Sequence, residues 1–145
     1  MQTQTRVEVP IRQSIRILLI EEHAEVRHAL TQTLMQQLKQ TTVWATPYLP
    51  TTAEELLEFE PSVILIGMPQ QAIASVETLL DQIEVWVNHQ IPVITLAAYI
   101  DFDEVSKLKE TGVFATLLKA TNFSETVKTI KMAVHTAALK ESSHV

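Results

Sequence analysis

Short apolar runs alternate along the chain with longer segments in which apolar residues recur every three or four positions. Ile15–Ile20 is a β-rich run that ends in two acidic residues, and residues 63–66 form a continuous apolar run typical of a central parallel strand. Residues 43–46, 92–96 and 115–118 are three further strand candidates. The pattern therefore predicts five short strands.

The segments between these runs have helical spacing. Residues 24–39 carry a leucine or valine at every fourth position, and residues 71–87 repeat apolar residues in the same way. A capping-box pattern at Thr51 opens a helix through Phe59, in which Leu56 and Leu57 are expected to be buried.

The last two helices have clearer end signals. Asp101 is placed to cap the fourth helix, and Gly112 stands where that helix should end in a left-handed residue. Asn122 or Ser124 begins the fifth helix.

Five β–α units in strict alternation predict an α/β fold with parallel strands. The expected architecture is a flavodoxin-like (βα)5 three-layer sandwich with a five-stranded sheet in the order 2-1-3-4-5. Residues 14–139 would form this domain, with a polar N-terminal tail at 1–13 and a C-terminal tail at 140–145.

In such a fold the functional site lies beyond the carboxyl ends of the strands, at the switch point between the first and third strands. Five residues follow or end the predicted strands there, and they are the candidate site: Glu21, Glu22, Gly67, Ala97 and Lys119.

Three segments at these strand ends resemble the receiver domains of bacterial two-component response regulators. They are ILLIEEHAEVRHAL, IPVITLAAY and ETGVFATLLKATNFSETVKTI, and together they extend the resemblance over residues 14–138. The last segment is most similar to receivers that usually carry a helix-turn-helix output domain. The resemblance implies a phosphorelay domain in which an aspartate after the third strand accepts a phosphoryl group beside Mg²⁺.

The chain departs from that pattern at most of the chemically important positions. Gly67 replaces the phosphoacceptor aspartate, Ala97 replaces a hydroxyl residue, and Thr116 replaces the switch aromatic. Glutamates 21 and 22 replace two aspartates, so each side chain is one methylene longer and reaches into the space of the missing aspartate. Lys119 is unchanged, and Ala120 replaces a frequent proline. The resemblance is therefore to a degenerate, pseudo-receiver domain.

Glu21 and Glu22, with a backbone carbonyl, can hold a divalent cation such as Mg²⁺ weakly. The favoured interpretation is that Glu22 forms an ion pair with Lys119 instead. In that case the site binds no metal ion and no cofactor. The neighbouring His23 is interpreted as a capping or surface residue.

The composition of the chain limits the classes of molecule to which it could bind. The chain has 145 residues, 46% hydrophobic and 19% charged, with a net charge of -6, so it has no general attraction to nucleic acid or anionic lipid. No apolar run approaches the length of a membrane span. The absence of cysteine fits a reducing cytoplasm.

The sequence therefore predicts a phosphorylation-independent module for protein–protein interaction or signalling. The resemblance implies that this module binds other proteins through a face formed by residues 101–110, 116–118 and 124–139. A homodimer through the same face is a further possibility. Trp86 and Phe102 are either core residues or exposed anchors for a partner.

Three other interpretations are open. The modified pocket could sense a small ligand, or the chain could be the receiver part of a longer transcriptional regulator. Catalysis is disfavoured, because Ser62, Ser75 and Thr95 have no histidine or acid partner at a recognisable spacing.

Overall fold

The computed structural model describes residues 14–49, 53–68, 73–119 and 122–143. Five strands and five helices alternate within them. The strands are β1 (Ile15–Ile20), β2 (Thr41–Thr46), β3 (Val63–Gly67), β4 (Val93–Ala97) and β5 (Ala115–Leu118). The helices are α1 (Ala24–Gln37), α2 (Ala53–Phe59), α3 (Ile73–Asn88), α4 (Phe102–Thr111) and α5 (Phe123–Ser143). None of the helices in this described part is long and apolar enough to cross a membrane.

The strands form one parallel sheet in the order β2-β1-β3-β4-β5, which confirms the predicted fold class. In its register Ile20 lies opposite Ile66, and Gly67 lies opposite Leu96. The carboxyl ends of the three central strands consequently meet at the same edge of the sheet, which is where the candidate residues are.

Each face of the sheet is covered by one apolar cluster. On one face, Leu18 and Ile64 pack with Ile83 and Trp86 of α3. On the other face, the strand residues lie against α1 and α5, through side chains such as Leu34 and Ile130. Alternation along each strand divides the side chains between these two faces. Trp86 is 2% exposed, so it belongs to the core and not to a partner surface.

The predicted end signals of α4 and the predicted start of α5 are confirmed. The Asp101 carboxylate accepts hydrogen bonds from the backbone N–H groups of Asp103 and Glu104. Gly112 ends α4 with φ 110°, a left-handed conformation that disfavours any side chain. Of the two candidates for α5, Asn122 is the cap, since its side-chain oxygen accepts a hydrogen bond from the Ser124 N–H.

The prediction that Leu57 is buried is wrong. Leu56 is 4% exposed, whereas Leu57 is 54% exposed. Neighbouring residues point about 100° apart on a helix, and α2 has only seven residues, so only one of the two leucines faces the sheet. The capping residue Thr51 lies outside the described residues.

Some element ends also differ from their predicted positions. β2 begins at Thr41, two residues earlier than predicted, because its pairing with β1 continues back to Ile15. α1 ends at Gln37 instead of residue 39, and β4 runs from Val93 to Ala97 instead of from 92 to 96. α5 continues to Ser143, past the predicted boundary at 139, because no Gly or Pro interrupts it.

Candidate functional site

The candidate site centres on Glu21, the first residue after β1. Its side chain is completely buried, and its backbone N–H donates to the Thr46 carbonyl at 3.0 Å, which extends the β1–β2 ladder by one residue. One carboxylate oxygen, Oε1, lies 3.0 Å from Lys119 Nζ in an ion pair without hydrogen-bond geometry. The other, Oε2, accepts from the His23 N–H at 3.0 Å and lies 3.2 Å from His23 Nδ1.

Glu21 occupies the space where a side chain at position 67 would begin. A Cβ atom added to Gly67 would overlap Glu21 Oε1 and would lie 2.8 Å from Glu21 Cδ and 3.4 Å from Lys119 Nζ. A carboxylate therefore does stand beside Lys119 at the end of β3, but it comes from β1. The expectation that a longer glutamate fills this space is met by Glu21.

The contacts of the buried Glu21 carboxylate favour its ionised form. Burial acts to raise the pKa of this group. The hydrogen bond from the His23 N–H and the ammonium group of Lys119 outweigh burial and lower the pKa below its ordinary value. The site thus holds a buried carboxylate whose charge is matched by a lysine.

The predicted ion pair between Glu22 and Lys119 is wrong, because Glu21 takes that place. Strand alternation explains the choice. Glu21, Gly67 and Lys119 each continue the set of alternate positions that faces α1 and α5, after Leu19, Leu65 and Leu117 respectively. Glu22 has the opposite parity, and it is exposed. The same alternation could have identified the correct glutamate from the sequence.

Glu22 lies instead at a cleft of about 290 Å³ on the opposite side of the strand ends. Gly67 forms part of its floor, and Tyr48 and Leu79 form part of its walls. The two glutamates, which the sequence allowed as a weak site for a divalent cation, therefore lie on opposite sides of the strand ends. Among the described residues, no three His, Cys, Asp or Glu side chains are grouped so that they could hold a metal ion.

The remaining candidate positions lie on β4 and β5. Ala97 is buried at the end of β4 and offers no hydroxyl group. Thr116 is half-buried, and its hydroxyl forms a 2.7 Å hydrogen bond with the hydroxyl of Thr95, which lies beside it in the register. Ala120 lies outside the described residues. The Thr116 side chain is therefore tied to the neighbouring strand.

Two contributors were not recognised from the sequence as parts of the site. Thr95 is fully buried. A threonine within the apolar β4 run could have indicated a hydrogen-bond partner on a neighbouring element, because a buried hydroxyl needs a hydrogen bond. Arg27 donates from Nη1 to the Glu21 carbonyl at 2.8 Å, which ties α1 to the end of β1. The position of Arg27, six residues after Glu21, does not indicate this contact in the sequence.

Comparison with known proteins gives structural matches alone, since no protein-family model and no curated protein matches the chain. The signal receiver domain of a DNA-binding response regulator from Colwellia psychrerythraea 34H is similar, with a TM-score of 0.68 and 26% identity. The match covers 83% of this chain and 98% of that one.

Two further solved structures extend this result. A response-regulator receiver domain from Clostridium thermocellum has a TM-score of 0.71 at 16% identity, covering 86% of this chain and 98% of that chain. A LuxR-family DNA-binding response regulator from Staphylococcus aureus has a TM-score of 0.67 at 17% identity, with 83% and 98% covered. The chain thus has the receiver-domain fold of response regulators.

Proposed function

We propose that the chain is a receiver-like domain without aspartyl-phosphate chemistry, which works as a phosphorylation-independent module for protein interaction. The observation that carries the proposal is the exchange at position 67. Gly67 has no nucleophile, and the carboxylate that fills its side-chain space belongs to Glu21. Position 67 therefore lacks the acceptor, and the Glu21 carboxylate fills the space in which an acceptor side chain would lie.

The Glu21 carboxylate is poorly placed to accept a phosphoryl group itself. A carboxylate nucleophile needs a free oxygen within reach of the donor. The Glu21 side chain is 0% exposed, and its two oxygens are held by Lys119 and by His23. Phosphorylation would require breaking both contacts before a donor could approach. Ala97 adds no hydroxyl that could follow a phosphoryl group.

The partner face would be formed by residues 101–110, 116–118 and 124–139. Four large apolar side chains in these ranges are exposed, and Phe102 is the most exposed of them at 83%; the others are Leu118, Met132 and Leu139. Large exposed apolar side chains are typical anchors of protein interfaces. This supports a binding role for the face that does not depend on the phosphorylation site.

The chemical part of the proposal is tested with a small acyl phosphate and Mg²⁺. Intact-protein mass spectrometry should show no phosphorylated product, and a beryllium fluoride phosphate mimic should leave the amide NMR spectrum unchanged. A response-regulator receiver with its aspartate intact serves as the positive control for both reagents. A phosphorylated species, or shifts at Lys119 and its neighbours caused by the mimic, would refute the proposal.

The binding part is tested by co-purification from extract of the native cells. Phe102→Ala should lose the partner that the wild type retains, and it should fold normally because the side chain is exposed. Leu57→Ala is the matched control, since Leu57 is 54% exposed on α2, outside the face. An acyl phosphate in the extract should change neither result. Equal retention by Phe102→Ala and the wild type would exclude this face.

A second candidate function is recognition of a small ligand in the cleft beside Gly67. The cleft of about 290 Å³ favours it, because it lies at the strand ends where doubly wound sheets bind ligands. Ligand binding there predicts a thermal stabilisation by some metabolite that Tyr48→Ala abolishes. If a metabolite stabilises Tyr48→Ala as much as the wild type, it binds elsewhere.

A further inference from the structure

The outer edge of β2 carries backbone groups that no described residue pairs. β2 is at the end of the sheet and bonds to β1 alone. The Ile15 and Glu21 N–H groups donate to the carbonyls of Gln40 and Thr46, so the even-numbered residues of β2 face β1. Because backbone groups alternate in direction along a strand, Thr41, Val43 and Ala45 direct their N–H and C=O groups outward.

This edge lacks the features that usually prevent strands of different molecules from pairing. Edge strands are commonly protected by charged side chains, proline, bulges or short length. The six residues of β2 are TTVWAT, with no charge, glycine or proline, and they are mostly β-branched or aromatic. The other edge strand, β5, has only four residues. The two edges of the sheet thus differ in their readiness to pair.

We propose that β2 pairs with β2 of a second copy of the chain, in antiparallel orientation about a two-fold axis at Val43. In this register Val43 lies opposite Val43 of the second copy, and Thr41 lies opposite its Ala45. All of these are outward-facing residues, so each opposed pair exchanges two hydrogen bonds, about six in all. The two sheets become one continuous sheet of ten strands, twice the five of one copy.

Charge favours this edge for contact between two copies. Each chain carries a net charge of -6, so two copies repel each other over most of their surface. β2 offers an uncharged stretch in which only hydroxyl, apolar and backbone groups meet. In the proposed register Thr42 lies opposite Trp44 of the second copy, so the half-buried indole would gain cover. A two-fold contact also closes after two copies and does not propagate.

The contact is tested with charged variants at Thr42. This side chain is exposed, and its backbone groups bond to β1, so substitution preserves both the fold and the outward groups. Across the axis the two Thr42 side chains lie diagonally, about 7–8 Å apart. Thr42→Glu and Thr42→Lys should each weaken the dimer about tenfold in sedimentation velocity, and an equimolar mixture of the two should dimerise again. Ser106→Glu on α4, with the same added charge, should dimerise like the wild type.

Amide hydrogen exchange gives a second, independent measurement. The N–H groups of Thr41, Val43 and Ala45 should exchange more slowly as protein concentration rises, whereas that of Trp44, bonded to β1, should not change. A monomer from micromolar to millimolar concentration would overturn the proposal. So would a dimer that Ser106→Glu dissociates and Thr42→Glu does not, because that contact would use α4. Neither result depends on whether the site near Gly67 accepts a phosphoryl group.

Discussion

A methyl group at position 67 should destabilise the fold through its effect on residue 21. The Cβ of Gly67→Ala would overlap Glu21 Oε1, so the carboxylate would have to leave its place between Lys119 and the His23 N–H. The strain therefore arises from a side chain and not from the backbone, since Gly67 has no positive φ. Removing the Glu21 side chain should consequently remove most of the penalty.

The expected magnitude follows from the contacts that are lost. A hydrogen bond to a charged group contributes about 1.5–3 kcal/mol, and the displaced carboxylate also loses its ion pair while it regains some water. Gly67→Ala in the wild type should therefore cost about 2–3 kcal/mol. In a Glu21→Ala background the same substitution should cost less than about 0.5 kcal/mol, because alanine is intrinsically the better strand residue. The coupling between the two positions should be about 2 kcal/mol.

Urea denaturation of the wild type, both single variants and the double variant measures this coupling. Fluorescence of the buried Trp86 reports unfolding, and equal m-values across the four proteins confirm that the transitions are comparable. If Gly67→Ala costs the same in both backgrounds, within about 0.5 kcal/mol, Glu21 does not occupy the space beside Gly67 and the reasoning fails.

Three further predictions concern stability. The pKa of Glu21 is lowered in the folded state, so its stabilising contribution is present above about pH 4.5 and is lost as the pH falls below it; Glu21→Gln should remove this part of the acid dependence in denaturation curves. Thr95→Val should cost about 1–2 kcal/mol by leaving the Thr116 hydroxyl unpaired, whereas the double valine variant should recover most of it. Asp101→Ala should cost about 1 kcal/mol by removing the α4 cap, and Asp101→Ser should cost clearly less in the same thermal melts.

The sheet could be predicted from the sequence because apolar runs and helical spacing alternate without ambiguity. The order of the strands followed from the number and strict alternation of the β–α units. Helix faces were harder to predict, as Leu56 and Leu57 show. Both are leucines on one short helix, and only the position of α2 on the sheet decides which of them is buried.

The position of the candidate site could be predicted from the sequence, but the residue types alone did not show which glutamate pairs with Lys119. Glu21 and Glu22 are chemically equal and adjacent, so proximity to the end of β1 did not distinguish them. Parity along the strands does distinguish them, because it places Glu21 with Gly67 and Lys119 on one face. The hydrogen bond between Thr95 and Thr116 needed the β4–β5 register, which a single sequence does not specify.

The positions at which the chain departs from the receiver pattern lie in two groups on opposite faces of the sheet, and the contacts within each group support a static site. On one face the length of Glu21 compensates for the missing side chain of Gly67 and neutralises Lys119. On the other face the hydroxyls of Thr95 and Thr116 satisfy each other, where the resemblance implies an aromatic side chain that moves. An aspartate introduced at position 67 would therefore meet the Glu21 carboxylate instead of an open pocket. A side chain at position 67 requires a shorter residue 21 in the same molecule, because the two positions share one space.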